Sequence, residues 1–235
     1  MTTPTQRLFE ADLLRGVAII LMVIFHLCFD LNYFRFIDID IYRGIEWKAF
    51  RIVIVSLFLG LMGASLVFAY QKGINKQKFL KRLALLSGAA ALITAATIFV
   101  FPKSWIYFGV IHFAALATLA GAWFVRMPTL SLVLGIAIVV LYQMDFLSTH
   151  WLYESLKEPL HLPHRTEDIV RFFPWFGAVL IGIFFGHHRF FGLKLPDMNL
   201  TRQIAFLGRH SLLIYLIHQP ILFGTLMGVY RLTNG

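Results

Sequence analysis

Charged residues are scarce in this chain, and cysteine is nearly absent. Only 14% of the 235 residues are Asp, Glu, Lys or Arg, whereas 59% are hydrophobic. A water-soluble domain of this size cannot bury so large an apolar fraction, because too much of a small domain remains surface. The single cysteine, Cys28, excludes an internal disulfide and argues against a metal site built on thiolates.

The chain contains several long apolar runs. They are about 20 residues long, the length that crosses a bilayer as a helix. Strands of a membrane barrel would instead alternate polar and apolar residues in short segments. The sequence therefore predicts an all-α, polytopic helical bundle that forms a single transmembrane domain over residues 1–235. The seven predicted spans are 12–34, 50–70, 82–101, 106–125, 130–144, 170–186 and 205–230.

The basic residues indicate how the chain is oriented. With the N terminus in the cytoplasm, twelve of the 21 basic residues lie on the inner side with three acids, so the formal charge of +9 falls there. This distribution follows the positive-inside rule and predicts an N-in, C-out topology. The inner surface suits anionic lipid or a phosphate-rich cofactor. The twelve residues are Arg7, Arg15, Lys72, Lys76, Lys78, Lys81, Arg82, Arg126, Arg189, Lys194, Arg202 and Arg209.

Within the first span, the stretch LLRGVAIILMVIFHLCFD (residues 13–30) places Arg15, His26 and Asp30 in an apolar setting. Arg15 and His26 are eleven residues apart, which in a helix is about three turns and about 16 Å of rise, so both lie on one face. Asp30 follows His26 at i+4, within reach of an imidazole N–H. We therefore expect His26 to be an oriented base. The alternative is a helix whose two ends carry interfacial polar groups.

Two further spans contain histidines at related depth. His112 lies in the fourth span, and His218 lies in the last span on a polar stripe with Ser211 and Tyr215. Ionisable residues inside a membrane span are costly and tend to be functional. The sequence therefore predicts a polar cavity shared by His26, His112 and His218.

The outer loop 145–169 holds three histidines, His150, His161 and His164. Their spacing matches no standard ligand pattern, so we predict no metal site. A substrate lid and a plain connecting loop both remain open interpretations.

Three stretches in order carry a family resemblance: EADLLRGVAIILMVIFHLCFD, FPWFG and LGRHSLLIYLIHQP. Together they resemble the heparan-alpha-glucosaminide N-acetyltransferase catalytic-domain family of bacterial membrane proteins, over residues 8–225. The arginine eleven residues before a histidine in the first span also resembles, more distantly, the acyltransferase-3 family.

The resemblance implies transfer of an acetyl group from cytoplasmic acetyl-CoA to an acceptor across the membrane. His26 matches the histidine expected to act as general base, with Asp30 beside it, and Arg15 matches the arginine expected to help hold coenzyme A. Tyr215, His112 and His218 would donate to the developing oxyanion or orient the acceptor.

The basic residues Lys81, Arg82 and Arg209 lie at span ends, where the nucleotide phosphates of coenzyme A would meet them. The expected partners are a coenzyme A thioester, an extracytoplasmic glycan or small-molecule acceptor and membrane lipid, but not nucleic acid. A homodimer is one assembly to be tested. The expected location is the bacterial cytoplasmic (inner) membrane, as a multi-pass protein.

Two other classes of protein fit the membrane histidines. A proton-coupled transporter would also place them at mid-membrane, although the seven spans lack the paired halves typical of inverted repeats. A haem-binding membrane protein could use His26, His112 or His218 as axial ligands.

Overall fold

A computed structural model describes residues 4–41, 43–166, 168–188 and 198–234 of the chain. The helices of these residues are α1 (Pro4–Tyr33), α2 (Ile45–Tyr70), α3 (Lys76–Val100), α4 (Val110–Gly121), α5 (Pro128–Gln143), α6 (His150–Lys157), α7 (Phe172–His187), α8 (Asn199–Arg209) and α9 (Ser211–Asn234). Among the described residues no strand occurs, only an isolated bridge between Phe108 and Ile169. Arg189 and Lys194, assigned to the inner side above, and Glu167 of the outer loop lie outside this part.

Membrane-length helices account for much of the described chain. Four are long and apolar enough to cross a bilayer: Phe9–Tyr33, Ile45–Tyr70, Lys76–Val100 and Ser211–Asn234. Three shorter apolar helices, α4, α5 and α7, coincide with the three remaining predicted spans. The prediction of an all-helical membrane protein is therefore confirmed.

The chain divides into two compact units, which are described separately. The first unit comprises Met1–Phe58 and Phe191–Gly235, and the second comprises Leu59–Phe190. The first therefore contains α1, the start of α2, α8 and α9. The second contains the rest of α2 and α3 to α7.

In the first unit, α8 packs closely on the N-terminal part of α1. A Cβ atom at Gly16 would collide with the backbone carbonyl of Ile204, and one at Gly208 would collide with the carbonyl of Asp12. Two glycines therefore permit backbone contact, as small residues do where membrane helices cross. Because later residues of α8 meet earlier residues of α1, the two helices run antiparallel.

The predicted last span, 205–230, is wrong at its start. The helix breaks at His210, where the backbone N–H turns back to the carbonyls of Phe206 and Leu207, and α9 begins at Ser211. Residues 205–209 belong instead to α8, whose buried residues Ala205 and Gly208 are those small enough for the α1 crossing. Packing against α1 therefore overrides the hydropathy that joins the two helices in sequence.

The second unit is also built on small residues. A Cβ at Gly63 would strike the carbonyl of Val179, and one at Gly182 would strike the carbonyl of Gly60. The glycines of the second span thus pack against α7, as small residues do where membrane helices cross. Within the predicted outer loop 145–169, residues 150–157 form the short helix α6.

Candidate functional site

The facing sides of α1 and α9, here called the α1–α9 seam, bring polar groups of the first unit together. The rings of His26 and His218 lie 4.9 Å apart, centroid to centroid. One turn further along α1, Oδ1 of Asp30 accepts a hydrogen bond of 2.8 Å from Nε2 of Gln219. The seam therefore joins residues that are almost the whole chain apart.

His218 is held in one tautomer by its own helix. Its Nδ1 lies 2.7 Å from the backbone carbonyl oxygen of Tyr215. Because a carbonyl can only accept, Nδ1 of the neutral ring carries the proton and Nε2 carries the lone pair. The side chain is only 8% exposed, and Nε2 has no hydrogen-bond partner among the described residues. His218 thus presents a buried proton acceptor.

His26 faces His218 from α1. Its ring is half-buried, with Nδ1 closed off from solvent and without a partner in the described chain. The predicted hydrogen bond between His26 and Asp30 is not formed, although the spacing is i+4. Asp30 turns instead to Gln219, whose amide N–H is a donor in every protonation state, whereas an imidazole N–H depends on the tautomer.

Tyr215 lies beside this pair of imidazoles. Its ring is 5.6 Å from that of His218, and it packs against a buried cluster formed by Ile19, Met22 and Ile54. Tyr215 therefore contributes to the seam in two ways, through its ring and through the carbonyl that holds His218.

His112 belongs to the second unit, where both of its ring nitrogens are engaged. The backbone N–H of Gly109 donates to Nδ1 at 3.3 Å, and Nε2 lies 2.9 Å from the hydroxyl of Thr94. That hydroxyl in turn donates to the carbonyl of Ile106 at 2.8 Å. His112 thus ties the start of α4 to α3, a structural role that the sequence did not suggest.

Arg15 and Arg209, both predicted to hold coenzyme A, lie where α8 packs on α1. Nη1 of Arg15 is 2.8 Å from Oδ1 of Asp12, so the two residues form an ion pair at i, i+3 spacing. The guanidinium of Arg209 stands 5.9 Å from the ring centre of Phe206. An open groove of about 590 Å³ is lined by Arg202, Gln203, Phe206, Leu207 and Arg209.

Lys81 and Arg82, the other predicted coenzyme A ligands, lie in the second unit near the start of α3. This helix is capped by Asn75, whose side chain accepts a hydrogen bond of 3.0 Å from the backbone N–H of Lys78. Lys81 is exposed and Arg82 is partly buried.

The three histidines of loop 145–169 lie on and after α6. Nε2 of His150 is 3.7 Å from Oε1 of Glu154. The other carboxylate oxygen, Oε2, accepts a hydrogen bond of 2.6 Å from Nζ of Lys157. His161 and His164 are exposed in the loop that follows.

Gln219 is the residue of the seam that sequence reasoning missed. A signal was present, because Gln219 is a polar residue in an apolar helix, directly after His218 in LIHQP. Its partner Asp30 is 189 residues away, however, and no local pattern specifies such a contact.

Membrane-length helices with buried imidazoles and a buried carboxyl define a class: polytopic membrane proteins with ionisable groups among their helices, such as membrane-embedded enzymes and transporters. Comparison with known families narrows this class. The family described as "Heparan-alpha-glucosaminide N-acetyltransferase, catalytic" matches residues 7–220. The chain belongs to this family, so the resemblance seen in the sequence is confirmed, and acetyltransferase activity is what the family implies. No curated protein and no solved structure matches the chain.

Proposed function

We propose that this protein moves an acetyl group from cytoplasmic acetyl-CoA to an amine or hydroxyl of an extracytoplasmic, sugar-containing acceptor. The observation that carries the proposal is the pair of imidazoles in the α1–α9 seam, 4.9 Å apart between ring centres. Each has a buried nitrogen without a partner among the described residues. Within a family of acetyltransferases, such nitrogens are suited to proton transfer.

His26 is the general base in this proposal. It removes the proton from the acceptor as the acceptor's nitrogen or oxygen bonds to the acetyl carbon. The C–S bond breaks, and the proton passes to the departing thiolate. In the alternative order His26 first carries the acetyl group itself.

The structure favours a different role for His218 than donation to an oxyanion. With Nδ1–H committed to the carbonyl of Tyr215, the neutral ring can only accept at Nε2. We therefore assign His218 to orienting the acceptor. Tyr215 remains a proposed donor to the oxyanion. His112 would take this role by exchanging its hydrogen bond to the Thr94 hydroxyl for one to the oxyanion.

Coenzyme A is expected to bind through the basic residues at the helix ends. Guanidinium groups bind phosphates in bidentate fashion, and aromatic rings stack on adenine. The groove beside Arg209 offers Arg202, Arg209 and the ring of Phe206 in about 590 Å³. Arg15, Lys81 and Arg82 complete the set of proposed ligands.

The span count of seven is supported by the direction of α9 relative to α1. Residue numbers increase in the same direction along the contacts between α1 and α9. His26 meets His218, Asp30 meets Gln219, and Phe34 meets Phe223. The two helices therefore run parallel. Helices that cross in the same direction require an odd number of crossings between them. The five of a seven-span protein satisfy this condition, whereas the two of a four-span protein do not.

We place the protein in the bacterial inner membrane as a single acyltransferase domain over residues 1–235. Anionic lipid is expected at the basic inner surface, and a homodimer is the assembly to test.

Calorimetry with acetyl-CoA on the detergent-purified protein tests the proposal. Arg15→Ala should weaken binding about tenfold, because it removes a charge-assisted phosphate contact. His26→Ala should leave binding unchanged and lower acetyl transfer by about 10²–10⁴-fold. The exposed residues Arg51 and His164 provide matched controls, Arg51→Ala and His164→Ala, which should behave as the wild type.

If the wild-type protein has no affinity for acetyl-CoA, the proposed acyltransferase function is refuted. A Soret band in the purified protein would then support haem binding. Proton or solute flux in liposomes without consumption of acetyl-CoA would support transport instead.

A further inference from the structure

The pairing of Asp30 with Gln219 leaves two acceptors buried without a donor. Asp30 is fully buried, at 0% exposure, and its described hydrogen bond is the one from Gln219 to Oδ1. Its other oxygen, Oδ2, and the carboxamide oxygen Oε1 of Gln219 are both buried and lack partners within the described residues. Polar atoms left in this state are rare and call for an explanation.

The orientation of the carboxamide follows from its partner. A carboxylate oxygen can only accept, so the N–H side of Gln219 faces Asp30 and Oε1 must point elsewhere. His218, the preceding residue, likewise presents the lone pair of Nε2, because Nδ1–H is bonded to Tyr215. Asp30, His218 and Gln219 therefore offer three acceptors, and the described neighbours supply no donor to these atoms.

A complementary ligand must bring donors. An amine or a hydroxyl does so, whereas a carboxylate, a sulfate or a phosphate would set its oxygens against these acceptors. A water molecule could also bridge Oδ2 and Oε1, which is the rival occupant.

We propose that Gln219, oriented by Asp30, is a specificity-determining residue that binds the reacting N–H or O–H group of the acceptor. Its Oε1, with Oδ2 of Asp30, forms a subsite that admits neutral or cationic acceptors and rejects acidic ones. This subsite rests on the proposed function. It adds binding of the acceptor to the proton transfer assigned to His26.

An exchange of the two side chains tests this subsite. Gln219→Glu places two carboxyls together without a donor, and Asp30→Asn removes the carboxylate, so each should raise the KM for glucosamine about tenfold. The double variant Asp30→Asn with Gln219→Glu restores one amide and one carboxylate, with two acceptors again unpaired. It should recover the wild-type KM.

The measurements are the KM and kcat for glucosamine at saturating acetyl-CoA, the affinity for acetyl-CoA and the melting temperature. Acetyl-CoA affinity should not change in any variant. Gln143→Met, at the exposed end of α5, is the control for Gln219→Met, which should raise the KM while the control does not. Glucuronic acid should not inhibit the acetylation of glucosamine.

Failure takes distinguishable forms. The subsite is overturned if the double variant melts at the wild-type temperature but keeps a raised KM. It is also overturned if the single variants have the wild-type KM. In either case water, and not the acceptor, occupies the space beside Oδ2 and Oε1. A wild type that binds acetyl-CoA but acetylates no glucosamine would also overturn it. A wild type that binds no acetyl-CoA overturns the proposed function itself.

Discussion

Substituting Gly16 with alanine tests the contact between α1 and α8. A Cβ at this position meets the backbone carbonyl of Ile204, which cannot rotate aside as a side chain can. The same substitution at Gly224, in α9, meets no atom within 4 Å. The pair therefore separates the effect of crowding from the effect of glycine itself, in one unit of the protein.

Two energies decide the outcome. Replacing a helical glycine with alanine stabilises a helix by about 0.5–1 kcal/mol, and this gain applies at both positions. Overpacking costs about 1–3 kcal/mol, and it applies only at Gly16. We expect Gly16→Ala to lose about 1–2 kcal/mol net, because the obstacle is backbone, and Gly224→Ala to gain the full helical term.

Thermal unfolding in detergent, followed by circular dichroism, measures the difference. At about 2–4 °C per kcal/mol for a chain of this size, Gly16→Ala should melt about 2–8 °C lower than the wild type and Gly224→Ala about 1–4 °C higher. If both variants shift in the same direction, α1 and α8 are not in backbone contact at Gly16.

Gly182→Ala should destabilise the protein while Gly60→Ala should not, because only the Cβ at Gly182 meets backbone; equal melting temperatures would contradict this. Thr94→Val should lower the free energy of unfolding by about 1–3 kcal/mol, measured by chemical denaturation, since it leaves the imidazole of His112 and the carbonyl of Ile106 unpaired. An unchanged free energy of unfolding would contradict the structural role of His112. The hydrogen bond from Lys157 lowers the pKa of Glu154. The stabilisation by this hydrogen bond is therefore fully present above the ordinary carboxyl pKa of 4.5, and it is lost as the pH falls through the lowered pKa of Glu154. Hydrogen-exchange protection of α6 should therefore fall in acid for the wild type and not for Glu154→Gln.

Hydropathy predicted the helices well because membrane insertion depends on local composition. Each of the seven predicted spans overlaps an apolar helix. The rings of His26 and His218, two of the three histidines predicted to share a cavity, lie 4.9 Å apart. Both results follow from one-dimensional information, namely length and position along a helix.

The misses arise from contacts between distant residues. The break at His210 depends on the fit of Gly208 against α1, and the choice of Asp30 between His26 and Gln219 depends on which donor α9 presents. The i+4 rule correctly places His26 and Asp30 as neighbours on a helix surface, but it does not specify where either side chain points.

The seam also imposes an order on biogenesis. Asp30 emerges from the ribosome 189 residues before Gln219, which at about 5–20 residues per second is about 10–40 s. During that interval α1 holds a carboxyl and an imidazole in a membrane-length segment whose partners have not yet been translated. α9 thus pairs the polar groups of α1 only after the helices between them have been made, and a chain interrupted before α9 would leave the quality-control machinery a polar α1 to recognise.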